Sequence, residues 1–218
     1  MFKHKLPYAP FIFEDTEKLI VGTLPPPRFS TGELLPQDVD FCYGSFYNSL
    51  WLYIDKIYAL NLEYNNTHLA IEQRKNFLRK HKIGVCDIVD SCTREKIDAS
   101  DVGMRNVQLR DLIGYIKKHP SIHTLLFTGG NSMNGPEYFF RKHLKDYNLK
   151  LDLVSNDIPR LHQVRLENNL IVKTVSLTSP SGSANRAIGS NPLYKKRKLE
   201  NPKYTTFDFR VDQYSEWF

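Results

Sequence analysis

The segment LIVKTVSLTSPSG, residues 170–182, decides the fold that we predict from the sequence. Its first half is an apolar run rich in β-branched residues, which is typical of a buried strand, and its second half is a loop of small hydroxyl residues, proline and glycine. Three earlier runs have a similar character: KLIVG (18–22), KIGVCDIVD (82–90) and IHTLLFTGG (122–130). We therefore predict four buried strands, each followed by a loop that carries glycine, proline, hydroxyl or carboxylate residues.

Helical patterns lie between these strands. Apolar residues at helical spacing predict four helices, one with Thr67 as its N-cap and one that begins at Pro136. The four segments are SFYNSLWLYIDKIYAL (45–60), THLAIEQRKNFLRKHK (67–82), NVQLRDLIGYIKKHP (106–120) and SMNGPEYFFRKHLKDY (132–147). The run LKLDLVS (149–155) is predicted to be an edge strand or a loop, and KYTTFDFRVDQYSEWF (203–218) is predicted to end in a helix. Strands that alternate with helices predict a three-layer α/β/α domain with a largely parallel sheet.

The composition limits the class of protein. A length of 218 residues suits one well-packed domain over residues 1–218, and the hydrophobic content of 41% fits a folded globular chain. The net charge of +6 permits a polyanionic partner without requiring one. Cys42, Cys86 and Cys92 lack C-x-x-C spacing and the histidines lack metal-ligand spacing, so we expect no metal, no cofactor and a reducing compartment. No apolar run reaches membrane-spanning length and no signal-peptide pattern is present, so we expect no membrane association.

The loops after the first two strands contain the most restricted residues. Pro25, Pro26 and Pro27 make the loop GTLPPPRF stiff, either as a wall against a flat ligand or as a simple end to the strand. Asp87 lies within the second apolar run, where an unpaired carboxylate is costly. It is therefore expected either to face a ligand cavity or to form a structural salt bridge, with Arg94 as the candidate partner.

The loop after the fourth strand is suited to contact with phosphate. Hydroxyl residues surround Gly182, whose lack of a side chain lets a ligand approach the backbone. Hydroxyls and free N–H groups at the start of a helix bind phosphate, and Arg186 adds a positive charge. The alternative is an ordinary turn in which the serines cap a helix.

Taken in order, these loops resemble the motifs of the uracil-DNA glycosylase superfamily. GTLP (22–25) is similar to the first motif, and SPSGSA (179–184) is similar to the last motif in the form found in the mismatch-specific branch. NSLW (48–51) and GVCDIV (84–89) resemble segments of the hypoxanthine-DNA glycosylase branch. The resemblance covers residues 18–186, and it implies a central sheet of four parallel strands in the order 2-1-3-4.

The resemblance implies a monofunctional DNA glycosylase, which hydrolyses the bond between a base and deoxyribose after the nucleotide has left the duplex stack. The base would be of the hypoxanthine or uracil type, the partner would be DNA, and the protein would act as a monomer. Leu24 replaces the usual catalytic Asp or Asn, so Asp87 and Asn48 become the catalytic candidates. The residues implied to form the base pocket are Gly22, Thr23, Leu24, Pro25, Phe29, Tyr43 and Phe46.

The resemblance also implies that the last motif contacts DNA, and the basic run KKRK of the C-terminal extension (187–218) would add phosphate contacts. KKRK also fits a nuclear-localisation signal or a solvated surface run. The residues expected to contact DNA are Ser179, Pro180, Ser181, Gly182, Ser183, Asn185, Arg186, Lys195, Lys196, Arg197 and Lys198. The protein is then expected beside its DNA, in the nucleus of a eukaryote or in the cytoplasm, at the nucleoid, of a bacterium.

Two other functions are weighed against this one. A catalytically inactive DNA-binding module of the same fold is favoured by Leu24, because leucine cannot orient water. An enzyme similar to the α/β hydrolases is disfavoured, because the sequence has no G-x-S-x-G motif.

Overall fold

Two β-sheets and a set of helices make up the chain. The computed structural model describes residues 1–167 and 169–218. The strands are β1 (Phe2–Lys5), β2 (Lys18–Val21), β3 (Ile83–Val85), β4 (Val89–Arg94), β5 (Arg105–Leu109), β6 (Thr124–Phe127), β7 (Asp152–Ser155), β8 (Arg160–Arg165) and β9 (Ile171–Ser176). The helices are α1 (Pro27–Thr31), α2 (Leu50–Tyr58), α3 (His68–Lys80), α4 (Leu112–Lys118), α5 (Pro136–Lys145), α6 (Asn185–Ser190), α7 (Pro192–Glu200) and α8 (Thr206–Ser215). Two short 3-10 turns span Asp101–Gly103 and Gly182–Ala184.

The main sheet contains six strands in the order β3-β2-β6-β9-β8-β7. The pairs among β3, β2, β6 and β9 are parallel, whereas β8 runs antiparallel to β9 and β7 antiparallel to β8. The prediction of a four-stranded parallel sheet is therefore corrected to a larger, mixed sheet. The four apolar runs supply the adjacent parallel strands, and the β7–β8 pair extends the sheet beyond them. The sequence RLHQVR of β8 was not predicted as a strand because charged and polar residues hide its alternation.

Apolar side chains cover both faces of the main sheet. Leu19 and Val21 of β2 belong to the core that includes helices α4 and α5, whereas Ile20 belongs to the core that includes α2, α3 and α8. This division follows from the two-residue period of a strand, which sends successive side chains to opposite faces. Helices therefore lie on both faces, and the chain forms helix, sheet and helix layers.

The second sheet has three antiparallel strands in the order β1-β4-β5. The second predicted strand (82–90) is therefore divided between the two sheets. Its first part is β3 of the main sheet, which ends at Val85, and its last part belongs to β4 of the second sheet, which begins at Val89. The connection between them still follows the main sheet, because the Ile88 N–H donates to the Gly22 carbonyl. Asp87 therefore lies in the connection between the two sheets and not within a strand.

Three of the four predicted helices are confirmed as α2, α3 and α5, and the C-terminal helix is confirmed as α8. The Thr67 hydroxyl caps α3 by accepting the Ala70 N–H, and Pro136 is the first residue of α5. The fourth prediction is wrong in its first half, because β5 occupies it and α4 begins only after Asp111, whose carboxylate caps the helix. Across residues 1–167 and 169–218, no helix is both long and apolar enough to cross a membrane.

Candidate active site at the carboxyl ends of the parallel strands

The segments that follow the four parallel strands meet at one edge of the main sheet, which we call the carboxyl edge. Parallel strands bring their carboxyl ends to the same side, and ligands of open α/β sheets bind there. The loop after β2 begins at Gly22, the connection after β3 includes Asp87, and the loop after β6 begins at Thr128. The loop after β9 includes residues 179–184, which we call the last loop. The carboxyl edge therefore gathers most of the residues that the sequence predicts to be functional.

Asp87 is a buried carboxylate at this edge, with 7% of its surface exposed. Its Oδ1 accepts a hydrogen bond from the Gly22 N–H at 3.1 Å. Burial raises the pKa of Asp87 to about 6, although the positive charge of Arg110 and hydrogen bonds from Gly22 and Tyr43 oppose the shift. Near neutral pH the carboxyl group is thus mostly ionised, but its pKa lies much closer to neutral than that of an ordinary aspartate, which suits an acid–base group.

The salt bridge between Asp87 and Arg94, one of the two alternatives from the sequence, is absent from the described part of the chain. Arg94 is itself buried, and its guanidinium donates to His4 Nδ1 at 2.9 Å and to the Ser100 carbonyl. The positive charge of Arg110 opposes the raised pKa of Asp87 without an ion pair between the two residues, and Arg110 itself pairs with Asp90, with 3.6 Å between Nε and Oδ1. A structural salt bridge with Arg94 therefore does not account for the buried carboxylate.

Gly22 and Tyr43 pack directly against Asp87. A Cβ atom built on Gly22 would lie 2.6 Å from Asp87 Oδ1 and closer still to the Tyr43 hydroxyl oxygen, so no side chain fits there. The Tyr43 hydroxyl also shares a hydrogen bond with Thr128 Oγ1 at 3.1 Å. Burial and the nearby Asp87 charge hold the pKa of Tyr43 well above its usual value, so the phenol stays protonated. These four residues form a compact polar group.

A cavity of about 140 Å³ lies beside Tyr43. Its lining brings together three residues that the sequence predicts for the site, namely Tyr43, Phe46 and Asn48. The Phe46 ring is 54% exposed, and Asn48 Oδ1 accepts the Leu50 N–H at the start of α2. No hydrogen bond joins Asn48 to Asp87 within the residues that the structure describes. Tyr43 is therefore the residue that connects the two catalytic candidates, because it lines the cavity and its hydroxyl reaches Asp87.

The loop after β2 is partly exposed and partly anchored. Pro25 is half-buried, and Leu24 packs against the apolar core on the α4 and α5 face of the sheet. Pro27 is the first residue of α1, as its fixed φ allows. Phe29 is only 5% exposed and meets Tyr8 edge-on, so its ring is not available to stack on a base as predicted.

A second carboxylate reaches this loop from outside the predicted motifs. The Thr23 hydroxyl donates to Asp101 Oδ1 at 2.8 Å, although the two residues are 78 positions apart. Burial raises the pKa of Asp101 to about 6. Sequence reasoning missed this residue because residues 95–104 mix polar and apolar residues without a helical or strand periodicity. Among the described residues, no group of three or more His, Cys, Asp or Glu side chains is arranged to hold a metal ion.

The last loop is held by neighbouring helices and is exposed only in part, because Pro180, a predicted DNA contact, is buried. The Pro180 carbonyl accepts an N–H from the start of α2, and the Ser181 carbonyl accepts a hydrogen bond from Arg210 at 2.9 Å. Gly182 is exposed, and a Cβ atom built on it would meet no atom within 4 Å. The fold of the free chain therefore does not require a glycine here, and the bare backbone is accessible to a ligand. The other exposed residue of the loop is Ser183.

Asn185 and Arg186 begin helix α6 directly after the last loop. Asn185 Oδ1 accepts hydrogen bonds from Thr206 and Arg210, so this side chain fastens α6 to α8. Arg186 is exposed to solvent. Of these two predicted DNA contacts, Asn185 thus has a structural contact of its own, and Arg186 presents its charge on the surface.

The four basic residues of α7 divide into two pairs. Lys195 and Lys196 are exposed to solvent. Arg197 forms an ion pair with Asp212 of α8, and Lys198 donates to two backbone carbonyls of the α7–α8 connection. Arg197 and Lys198 therefore hold the C-terminal helices together, and that they also contact DNA stays a prediction.

Comparison with solved structures finds a protein of similar fold. The chain resembles the solution NMR structure of a protein from Methanosarcina acetivorans that is provisionally described as a uracil DNA glycosylase, with a TM-score of 0.54 and 18% sequence identity. The match covers 97% of this chain and 99% of that one. At this level of identity the likeness shows the fold alone. No model of a known protein family and no curated protein matches the chain.

Proposed function

We propose that this chain is a monofunctional DNA glycosylase that removes a deaminated or modified base, of the uracil or hypoxanthine type, from DNA. The observation that carries the proposal is the buried Asp87 carboxylate, held by the Gly22 N–H beside the Tyr43 hydroxyl at the carboxyl edge. A buried acid without an ion pair in the described structure lowers stability, so its presence there favours a chemical role. The fold, similar to that of the archaeal protein, supports the same reaction class.

The chemistry requires groups that this edge supplies. When a glycosidic bond is hydrolysed, the bond between deoxyribose C1′ and the base nitrogen breaks, the electron pair leaves with the base, and positive charge develops on the sugar. A water oxygen then bonds to C1′ and the water loses a proton. A preformed carboxylate stabilises the developing positive charge, because it is already oriented in a site of low dielectric constant.

Asp87 has two possible tasks in this scheme. As an ionised acceptor, it would bind an N–H of the extruded base, such as N1–H of hypoxanthine or N3–H of uracil. Alternatively, it would orient the attacking water. Both tasks need the charged form, and both need the Tyr43 ring to line the pocket beside it. Asn48, which shares the cavity with Tyr43, would contact the same nucleotide from the α2 side.

The last loop is the proposed contact with the DNA backbone. Its exposed Gly182 leaves the main chain open, and small residues allow a phosphate to approach closely. Arg186, Lys195 and Lys196 present exposed positive charges in the helices that follow, and such charges favour binding to phosphates. The protein would act as a monomer without a cofactor.

One observation favours the second candidate function, a DNA-binding module without activity. Leu24 occupies the position of the usual catalytic Asp or Asn in the resembling superfamily, and it packs against the apolar core. No polar group is therefore presented by that position. In this alternative the exposed last loop and the surface cations would bind DNA, and Asp87 would have no substrate.

A panel of oligonucleotides separates the two functions. Duplexes with a single uracil, hypoxanthine, xanthine or modified cytosine are incubated with excess protein, and abasic sites are then cleaved with alkali. We expect release of at least one base by the wild-type protein and a decrease of roughly 100-fold or more in the single-turnover rate of Asp87→Asn. Binding of every duplex with release of no base would instead support the inactive module.

A further inference from the structure

Asp101 joins two loops of the carboxyl edge from a position outside the main sheet. It lies in the connection between β4 and β5, at the start of the 3-10 turn. Its Oδ1 accepts the Thr23 hydroxyl at 2.8 Å, and its backbone carbonyl accepts the Asn134 side-chain N–H at 2.8 Å. Thr23 belongs to the loop after β2, and Asn134 to the loop after β6. The carboxylate is therefore fixed relative to both loops.

The charge of Asp101 is not neutralised by a partner. Within the described residues it forms no ion pair, and the nearby Arg94 is occupied by His4, the Ser100 carbonyl and a longer contact to Asp98 at 3.7 Å. Burial raises the pKa of Asp101 to about 6, even though Thr23 and Arg94 oppose the shift. A desolvated carboxylate with a single hydroxyl donor has further lone pairs that can accept hydrogen bonds from water.

Asp101 and Asp87 bind to neighbouring residues of the same loop. Asp87 accepts the Gly22 N–H, and Asp101 accepts the Thr23 hydroxyl. The negative charge of Asp101 also contributes to the raised pKa of Asp87, so the two carboxylates act on each other electrostatically. The loop that lacks a polar residue at Leu24 is thus flanked by two carboxylates that come from other parts of the chain.

We propose that Asp101 is the carboxylate that binds the attacking water, and that Thr23 positions it, in the reaction proposed above; the inference rests on that proposed function. Asp101 would then supply the group that the loop after β2 lacks at Leu24. With Asp101 in this role, Asp87 would bind the N–H of the extruded base.

The proposed step balances in atoms and charge. The water oxygen forms a bond to C1′ as the bond from C1′ to the base nitrogen breaks, and the departing base takes that electron pair. One proton of the water passes to the Asp101 carboxylate. The base anion then takes up a proton, and Asp101 returns to its ionised form. In the overall reaction, one nucleotide and one water molecule are converted into an abasic sugar and a free base.

The competing explanation is structural, with Asp101 serving only to fasten the β4–β5 connection to Thr23. Asp101→Asn separates the two explanations. An asparagine oxygen still accepts the Thr23 hydroxyl, and the backbone bond to Asn134 is unaffected, but the negative charge is lost. Asp98→Asn is the matched control, because Asp98 lies in the same connection and its side chain is 49% exposed.

The experiment measures binding to two stable mimics of an abasic nucleotide in a duplex. One contains a neutral tetrahydrofuran ring, and the other contains a pyrrolidine ring whose positive charge imitates the transition state. We expect the wild-type protein and Asp98→Asn to bind the pyrrolidine duplex at least tenfold more tightly than the neutral one. Asp101→Asn should lose most of that preference while keeping its affinity for the neutral duplex, and its melting temperature should be no lower than that of wild type, because the charge that burial disfavours is removed.

The outcomes separate this inference from the proposed function. If the wild-type protein shows no preference for the charged ring, or if Asp101→Asn keeps the preference, the assignment of Asp101 is wrong. A single-turnover rate of Asp101→Asn within threefold of wild type would overturn it as well. If the wild-type protein binds neither duplex at low salt and releases no base, the glycosylase proposal itself fails, and the role of Asp101 fails with it.

Discussion

Two loops of the same sheet edge each contain a glycine, and the two glycines have opposite surroundings. At Gly22 an added Cβ would collide with the Asp87 carboxylate and the Tyr43 hydroxyl, whereas at Gly182 it would meet no atom within 4 Å. The loop after β2 is therefore built around its own buried polar groups. The last loop exposes Gly182, whose Cα faces open space in the free chain. In the function proposed above, the first region would bind the small reacting group and the second would contact the surface of the DNA.

The largest effect is expected at Gly22. Gly22→Ala would force the Asp87 carboxylate and the Tyr43 hydroxyl apart, because these two buried side chains leave the methyl group no space. Such overpacking costs about 1–3 kcal/mol of unfolding free energy. Base release should also fall by roughly 100-fold, the scale of a displaced acid–base group. Chemical denaturation and single-turnover kinetics measure the two effects, and a variant with wild-type values for both would show that the collision is not real.

A smaller and purely functional effect is expected at Gly182. Gly182→Ala adds a methyl group that points into open space, so the unfolding free energy should stay within about 0.5 kcal/mol of wild type. If a phosphate approaches this backbone, the same methyl group should weaken DNA binding by roughly fivefold to tenfold. Fluorescence anisotropy with a labelled duplex measures the change. Unaltered affinity would mean that DNA does not contact the last loop at this residue.

The smallest effect is expected in the C-terminal basic run, where the two pairs should behave differently. Replacing Lys195 and Lys196 by glutamine should reduce the slope of log K against log salt by about 2, since each phosphate contact contributes about 1. Replacing Arg197 and Lys198 should lower the melting temperature, because these residues hold α7 against its neighbours. The salt titration and a thermal melt of both double variants check the contrast, which disappears if all four residues face DNA.

Apolar runs were enough to predict four strands because a buried parallel strand is nearly continuous in Val, Ile and Leu. The same signal failed at β8, whose residues Arg160 and Gln163 mask the buried positions His162 and Val164. It also failed at the second run (82–90), where apolar residues continue from β3 into β4. The two strands pair with different sheets, and the sequence does not show this change. The spacing of apolar residues predicts which positions are buried, but it does not predict which sheet a strand joins.

The site was predictable where loops follow strands and unpredictable where distant segments meet. Gly22, Asp87 and Tyr43 were chosen from the sequence, and the structure brings them together. Asp101 could not be chosen, since its contact with Thr23 depends on how the second sheet lies against the first. The pairing of Arg197 with Asp212 was hidden for a similar reason, because it depends on the packing of two helices.

Because Asp87 is buried without an ion pair, we expect stability to fall as the pH rises. A carboxylate in an ion pair would give the opposite dependence. Its pKa in the folded chain is about 6, above the ordinary value of 3.8. Between these two pH values the folded protein holds a proton that the unfolded chain releases. The contribution of Asp87 to the unfolding free energy is therefore fully present below about pH 4 and is lost as the pH rises through about 6. Removing the charge at pH 7.5 should then stabilise the fold by up to about 3 kcal/mol, from a shift of roughly two pKa units.

The most direct test of the account is Asp87→Asn, with unfolding free energy and single-turnover base release measured on one preparation at pH 7.5. We predict that the variant unfolds at a higher denaturant concentration than wild type, that the two proteins converge in stability towards pH 4, and that base release falls by roughly 100-fold while DNA affinity is nearly unchanged. A variant that is less stable than wild type and releases base at an unchanged rate per folded molecule would contradict the account, because it would show Asp87 to be a structural residue.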